Sequence, residues 1–253
     1  MSPLFSQRNE VRVLDGKLTL QPRLRAIADL VPEGGKLVDV GTDHGYIPAV
    51  LLLEEKIFQA IASDIGREPL AHAVRTAETY GVPADRIDFR LCDGLAGIGR
   101  AEADCIVIAG MGGDNIVSIL EAAPWTKDGV VLLLQPMSKA EVLRAWLPVN
   151  GYAVTAEQLV ADKGVIYPIL TVSGGSMQSA TEAQAWGGFL LGNDALWGRY
   201  LDDRLLRLHR AVSGLKRARS AEMHEKRAFL LAVIKELEER KGEWLHANNR
   251  PGD

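Results

Sequence analysis

The sequence predicts an α/β protein: a doubly wound, mostly parallel sheet of seven strands followed by an antiparallel helical hairpin. Three observations carry this. Short apolar segments alternate with amphipathic ones over residues 37–172. A run of small polar residues, Ser-Gly-Gly-Ser-Met-Gln-Ser-Ala-Thr at 173–181, then breaks the texture. From about Glu182 the composition is helical, with no proline until Pro251. The expected organisation is therefore a body over 1–172, a linker over 173–181 and a helical segment over 182–253.

The expected strands are Leu37–Val40, Ala60–Asp64, Ile87–Leu91, Asp104–Ala109, Val130–Gln135, Tyr152–Val160 and Val165–Val172. They are short, apolar and mostly β-branched with little alternation, as in strands covered on both faces. Helical patterns fall between them at Ile47–Lys56, Glu68–Tyr80, Ile116–Ala122 and Lys139–Val149. Only Ala161–Gly164 separates the last two strands, too little for a crossover, so one terminal strand should run antiparallel. In the helical segment, Leu201, Leu205, Leu208, Val212 and Leu215 form an apolar seam. Met223, Leu230, Ile234, Leu237 and Trp244 form a second after a break at Lys216–Ser220. Two heptad-like seams around a short break read as a helical hairpin of coiled-coil type.

Composition narrows the function. Of the 253 residues, 47% are hydrophobic and 25% charged, which excludes a disordered tail or a disulfide miniprotein. No apolar stretch approaches a membrane span, and Met1–Glu10 shows no secretory h-region. Cys92 and Cys105 are too few for a disulfide framework or a cysteine zinc site, so a cytoplasmic protein without a metal is expected. The net charge of −4 is unevenly spread: residues 1–198 carry −8 and residues 199–253 carry +4. An acidic body with a basic appendage could meet a polyanion through the appendage.

The most informative stretch is Leu-Val-Asp-Val-Gly-Thr-Asp-His-Gly at 37–45. An apolar strand ends in Asp39, Gly41 and Gly45 and enters a helix, at the edge where open α/β sheets bind nucleotides. Asp43 stands where a dinucleotide fingerprint has its middle glycine. A carboxylate there repels a pyrophosphate and suits a cation, such as the ammonium and sulfonium of S-adenosyl-L-methionine; a plain strand-to-helix turn is the simpler alternative. Asp64 closes the second strand 23 residues after Gly41, placed to accept from a ribose diol or to cap a helix. Asp93-Gly94 closes the third, placed to accept from an adenine amino group or to form a turn. Ala109-Gly110-Met111-Gly112-Gly113 follows the fourth strand, where glycines let a flat ligand lie against backbone. Gln135 ends the fifth and could reach the pocket rim. Arg23 and Arg25 precede the first strand, and Cys92 adjoins Asp93.

At these residues the sequence resembles the bacterial tRNA (adenine(22)-N(1))-methyltransferase family. The matching motifs are Arg-Leu-x-x-Ile-Ala (23–28), Asp-Val-Gly-Thr-Asp-His-Gly-Tyr-Ile-Pro (39–48), Asp-Gly-Leu (93–95), Ile-Ala-Gly-Met-Gly-Gly (108–113) and Leu-Gln-Pro (134–136). The resemblance covers about residues 20–172. Gly45 stands where the family has Ala, read as a harmless change in a turn, and Met137 where it has Asn. It implies a Rossmann-like class I S-adenosylmethionine-dependent methyltransferase fold and methyl transfer to N1 of an adenine in tRNA. It implies cofactor contacts from Arg23, Asp39, Gly41, Asp43, Gly45, Asp64, Asp93, Gly94, Ala109 and Gly110. Asp43, His44 and Tyr46 are then the candidates facing the target base, which must leave its pairing to be reached.

The basic side chains of the hairpin, Arg199, Arg204, Arg207, Arg210, Lys216, Arg217 and Arg219, are candidates for RNA phosphates, although a charge run is usually a solvated face. The leucine seam also permits a homodimer. The competing readings are a methyltransferase of the same fold acting on a small molecule or protein, and a tRNA-binding protein without catalysis. A nucleotide-dependent oxidoreductase is disfavoured by Asp43.

Overall fold

Residues 11–14, 17–215 and 220–248 are described in a computed structural model of the chain. An antiparallel hairpin, Val11–Leu14 (β1) and Lys17–Leu20 (β2), precedes helix Pro22–Leu30 (α1). Proline at the first helical position starts α1, and Arg23, Leu24, Ile27 and Ala28 form its buried face at helical spacing.

All seven expected strands form, with ends shifted by three residues or fewer. They alternate with helices in the order Lys36–Val40 (β3), Tyr46–Leu53 (α2), Gln59–Asp64 (β4), Arg67–Tyr80 (α3), Ile87–Leu91 (β5), Cys105–Gly112 (β6), Gly113–Ala122 (α4), Val131–Ser138 (β7), Ala140–Val149 (α5), Tyr152–Asp162 (β8) and Val165–Gly174 (β9). The sheet order is β5-β4-β3-β6-β7-β9-β8. Strands β5, β4, β3, β6 and β7 are mutually parallel, and β9 lies antiparallel between β7 and β8. The two-residue turn Lys163–Gly164 joins β8 to β9, both residues at positive φ as a tight twisted hairpin needs. β9 runs on to Gly174, so the first two residues of the expected linker belong to the sheet.

The chain winds from β3 outward through β4 to β5, then returns across the sheet to β6 beside β3. The crevice between β3 and β6 is therefore the switch point, where helices leave the sheet on opposite sides. One core cluster packs Ile27, Leu51, Ala62 and Val107 on one face; the other packs Ile106, Ile116, Leu134 and Leu143 on the opposite face.

The C-terminal part comprises Glu182–Gly187 (α6), Trp197–Leu215 (α7) and Ala221–Asn248 (α8). Thr181 and Gln184 cap the start of α6 reciprocally. The expected seam is present: Leu201, Leu205, Leu208 and Val212 of α7 are buried with Leu230, Ile234 and Leu237 of α8. The same cluster takes in Leu159 of β8 and Ile166 of β9, so the helices sit against the edge of the sheet. At the junction Arg144 of α5 and Glu157 of β8 form a fully buried ion pair, 2.6 Å apart. Arg144 also donates to the Ala185 carbonyl and to Tyr200 Oη, while Glu157 accepts from the Phe189 and Leu190 amides.

Breaking one side of a buried pair leaves the other charge stranded, at a cost of about 3–5 kcal/mol. Arg144→Met should lose roughly that in urea unfolding. The double variant Arg144→Met/Glu157→Gln should recover much of it, because the Gln oxygen still accepts from both amides. Equal losses in the single and double variants would mean that the pair is not what the junction depends on.

Candidate active site

The sheet topology brings the carboxyl ends of β3, β4 and β6 to one crevice of about 290 Å³. Arg23, Asp39, Gly41, Asp43, His44, Tyr46, Asp64, Ala109 and Gly110 line it, together with Leu24, Thr42, Ile47 and Met111. Gly41, at φ +70°, makes the turn after β3, and a Cβ there would overlap the Met111 methyl.

Asp39 is buried at the end of the central strand, where its Oδ2 accepts from the Thr42 hydroxyl at 2.6 Å. Burial pushes its pKa up to about 6, with the nearby Asp64 charge adding to the rise and the Thr42 hydrogen bond opposing it. Asp64 Oδ1 accepts from the Gly66 amide at 2.8 Å, and Oδ2 lies 3.4 Å from the Asp43 amide. Asp43 itself is in the left-handed region, φ +46°, with its side chain 61% exposed.

Arg23 is the cation of the crevice. It is buried, donates to Gln135 Oε1 at 2.8 Å and lies 4.0 Å from Asp162. Gln135, fully buried, also donates to the Pro136 carbonyl, so it orients Arg23 rather than reaching the rim. Met137 places its sulfur 3.7 Å from the Gln135 amide nitrogen. Arg25 points elsewhere, paired with Asp29 and Glu54 on the surface.

Three rings stack at the mouth. His44 lies 5.0 Å from Tyr46, with planes 5° apart, and 4.7 Å from His72 of α3, with planes 9° apart. Ligand atoms of Asp43, His44 and His72 come within 4.8 Å of one another, a spacing that admits a metal ion. As the side chains stand, the two imidazoles lie in near-parallel planes, as a ring stack rather than as in-plane ligands of one ion.

The chain matches the family described as "Methyltransferase domain" over residues 20–170. It is 38% identical over 165 residues to the tRNA (adenine(22)-N(1))-methyltransferase of Bacillus subtilis, covering 65% of this chain and 69% of that protein. The chain belongs to this methyltransferase family. The crystal structure of the B. subtilis M1A22 tRNA methyltransferase TrmK aligns with a TM-score of 0.80 at 30% identity, over 89% of this chain and 100% of that one. A candidate tRNA (m1A22) methyltransferase of Streptococcus pneumoniae, in complex with S-adenosyl-L-methionine, aligns with a TM-score of 0.75 at 30% identity, over 87% and 98%.

Against this family background, three of the residues expected to touch cofactor are not on the crevice wall. Gly45 caps α2 at φ +65°, and a Cβ there would stand 2.9 Å from the Ala73 Cβ. It lets α3 approach α2, so the change from Ala read as harmless in sequence carries a packing role. Asp93 is exposed one strand beyond Asp64, its carbonyl accepting from the Ala96 amide, and Gly94 packs on Ile119. Thr42 lies inside the glycine-turn motif without a role of its own there, and His72 lies outside every motif. Thr42 is signalled only by its place after Gly41, and His72 by nothing local. Burial raises the pKa of both Cys92 and Cys105, the latter to about 12, so neither thiol is activated.

Of the hairpin arginines, Arg204 is buried against Tyr200 and paired with Asp203, which removes it from any RNA surface. Arg207 is exposed and lies 3.1 Å from Asp203; Arg199 and Arg210 are exposed. Lys216, Arg217 and Arg219 lie outside the described residues. Among the described residues no helix is long and apolar enough to cross a membrane.

Asp39 sets a pH dependence. With its folded pKa raised to about 6, the folded state binds the extra proton between the ordinary carboxylate value and 6. Stability therefore falls as pH rises through that window, and the full cost, on the order of 2–3 kcal/mol, is present above it. Asp39→Asn should stabilise the ligand-free protein at about pH 7.5, and much less at about pH 4. Denaturant unfolding at both pH values checks this; a gain of equal size at both would exclude Asp39 ionisation as its cause.

Proposed function

We propose that this chain transfers the methyl group of S-adenosyl-L-methionine to N1 of an adenine in tRNA, adenine 22 by analogy with its B. subtilis relative. The observation that carries the reading is the convergence of Asp39, Asp43 and Asp64 with a single buried cation, Arg23, on one crevice. That donor set fits a ligand with a positive centre, a carboxylate and a ribose diol, and it repels a pyrophosphate. When bound, S-adenosyl-L-methionine supplies an electrophilic methyl group on a sulfonium.

The chain's own residues do the rest. Asp64 would accept from the ribose diol, and Arg23 would pair with the amino-acid carboxylate. Asp93, exposed after β5 and outside the crevice wall, would accept from the adenine amino group of a ligand that extends past Asp64. Gly41, Ala109 and Gly110 would let the ligand lie against backbone. Adenine N1 carries an in-plane lone pair that is largely unprotonated at neutral pH, so no general base is needed. What helps is alignment of that nitrogen with the methyl group, and negative potential where the ring becomes cationic. Asp43 would supply the potential. His44 and Tyr46 would offer a stacked face to the unpaired base.

The acidic crevice repels a polyanion, so attraction for tRNA would come from the basic hairpin, whose apolar seam is taken up by the packing of α7 on α8. A tRNA substrate and two unactivated cysteines are in keeping with a cytoplasmic protein.

Incubation of a tRNA transcript with protein and S-adenosyl-L-methionine, followed by mass mapping, should place one methyl group on a single adenine. Asp64→Ala should weaken cofactor binding by roughly 2–3 kcal/mol in calorimetry, the scale of hydrogen bonds to a charged acceptor. Unmodified tRNA, or unchanged affinity in folded Asp64→Ala, would count against the reading.

Neutralising Arg207, Arg210, Lys216, Arg217 and Arg219 together should raise the KM for tRNA and flatten its salt dependence. For every phosphate no longer neutralised, the log–log slope should shrink by up to about 0.9. Cofactor affinity should stay unchanged. An unaltered salt slope would take the RNA role from the hairpin.

A further inference from the structure

We propose that His72 is a positioning residue that orients the Asp43 carboxylate through its Nδ1–H. This rests on the reading that Asp43 faces the adenine as it gains positive charge.

Asp43 is an unusual place for a group whose direction matters. Its backbone is left-handed at φ +46° and its side chain is 61% exposed. Its carboxylate is within 4 Å of both stacked imidazoles: Oδ2 is 3.7 Å from His44 Nε2, and Oδ1 is 3.9 Å from His72 Nδ1. Both separations exceed hydrogen-bond length, and such contacts in an open site commonly shorten when the reacting complex forms.

His72 differs from His44 in one respect. Its Nδ1 is buried and has no hydrogen-bond partner. A buried ring nitrogen without a partner is costly, and as an N–H it would gain the carboxylate oxygen 3.9 Å away after a movement of about 1 Å. The imidazole is held ready for this. It stacks on His44, which stacks on Tyr46, so the ring cannot turn without breaking a three-ring stack. The stack exists because α3 comes close to the start of α2, where Gly45 faces Ala73, the neighbour of His72.

The placement also suits the electrostatics. Asp64 is a second carboxylate close by, with Oδ2 3.4 Å from the Asp43 amide. Like charges repel, so the Asp43 carboxylate needs a donor to hold its direction. An imidazole N–H donor from α3 fixes the direction of the carboxylate, as a developing cationic adenine requires.

Two substitutions separate the donor from the ring. His72→Asn keeps a nitrogen donor near the Nδ1 position and loses the ring. His72→Phe keeps the ring and loses the donor. His72→Gln, whose amide reaches toward the Nε2 position instead, is a second variant without the donor should Phe disturb folding. These are compared with Asp43→Asn and with Asp43→Asn/His72→Phe, by kcat and KM for a tRNA transcript, calorimetric affinity for S-adenosyl-L-methionine, and melting temperature. His72→Phe and His72→Gln should lower kcat about tenfold, with KM and cofactor affinity within about twofold of the parent. His72→Asn should retain most of kcat, and the double variant should be no slower than Asp43→Asn.

Full kcat in His72→Phe and His72→Gln would overturn the inference. So would Asn as slow as Phe, which would leave only a packing role, or losses that multiply in the double variant. The underlying reading fails separately: if Asp43→Asn alone leaves kcat unchanged, Asp43 is not the group that faces the base.

Discussion

A carboxylate buried at the end of the central strand is costly, and the site is organised around that cost. Asp39 has the Thr42 hydroxyl as its hydrogen-bond donor and the Asp64 charge as its neighbour, and its pKa rises to about 6. Asp43 opens on the same crevice, and Arg23 already shares its guanidinium with Gln135 and lies near Asp162. A crevice with this balance is less stable alone than with a positive centre in it. The binding of a cationic cofactor and the instability of the ligand-free site are two sides of one arrangement.

The second constraint lies at the other end of the sheet. Arg144 and Glu157 are both removed from water and satisfy main-chain groups of α6 and of the segment after it. Asp194 adds a further tie by accepting from the Leu159 amide at 2.8 Å. The helices are thus anchored to the edge strands through buried polar groups, while Leu159 and Ile166 supply the apolar part of the contact. This separation allows opposite charges in one chain: −8 over the first 198 residues and +4 over the rest. An acidic crevice serves a cationic cofactor, and a basic helical surface is free to meet a polyanion.

Much of this was legible in the sequence. The central strands were, because strands covered on both faces are apolar, and most strands end at a turn marked by Asp or Gly, as at Asp64-Ile-Gly and Asp93-Gly94. The hairpin seam was, because its period of alternating threes and fours survives without knowledge of the partner helix. Charged residues were less legible. Arg204 and Arg210 look alike in sequence, yet one is buried over Tyr200 and the other is exposed. Arg23 and Arg25 stand two residues apart on α1 and point to opposite environments, as a helical step of about 200° requires.

The sequence by itself determined the α/β order, the crevice edge and the acids that end β3 and β4, because these follow from local period and turn chemistry. Only the tertiary structure decided which side chains from distant segments meet. It placed His72 on His44, sealed Arg144 against Glu157, turned Gln135 inward to Arg23, and made Gly45 a packing residue. Each of these contacts is long-range and rests on how helices cross a twisted sheet. No local pattern encodes that, since the same turn or helix face would fit many partners until the chain closes on one.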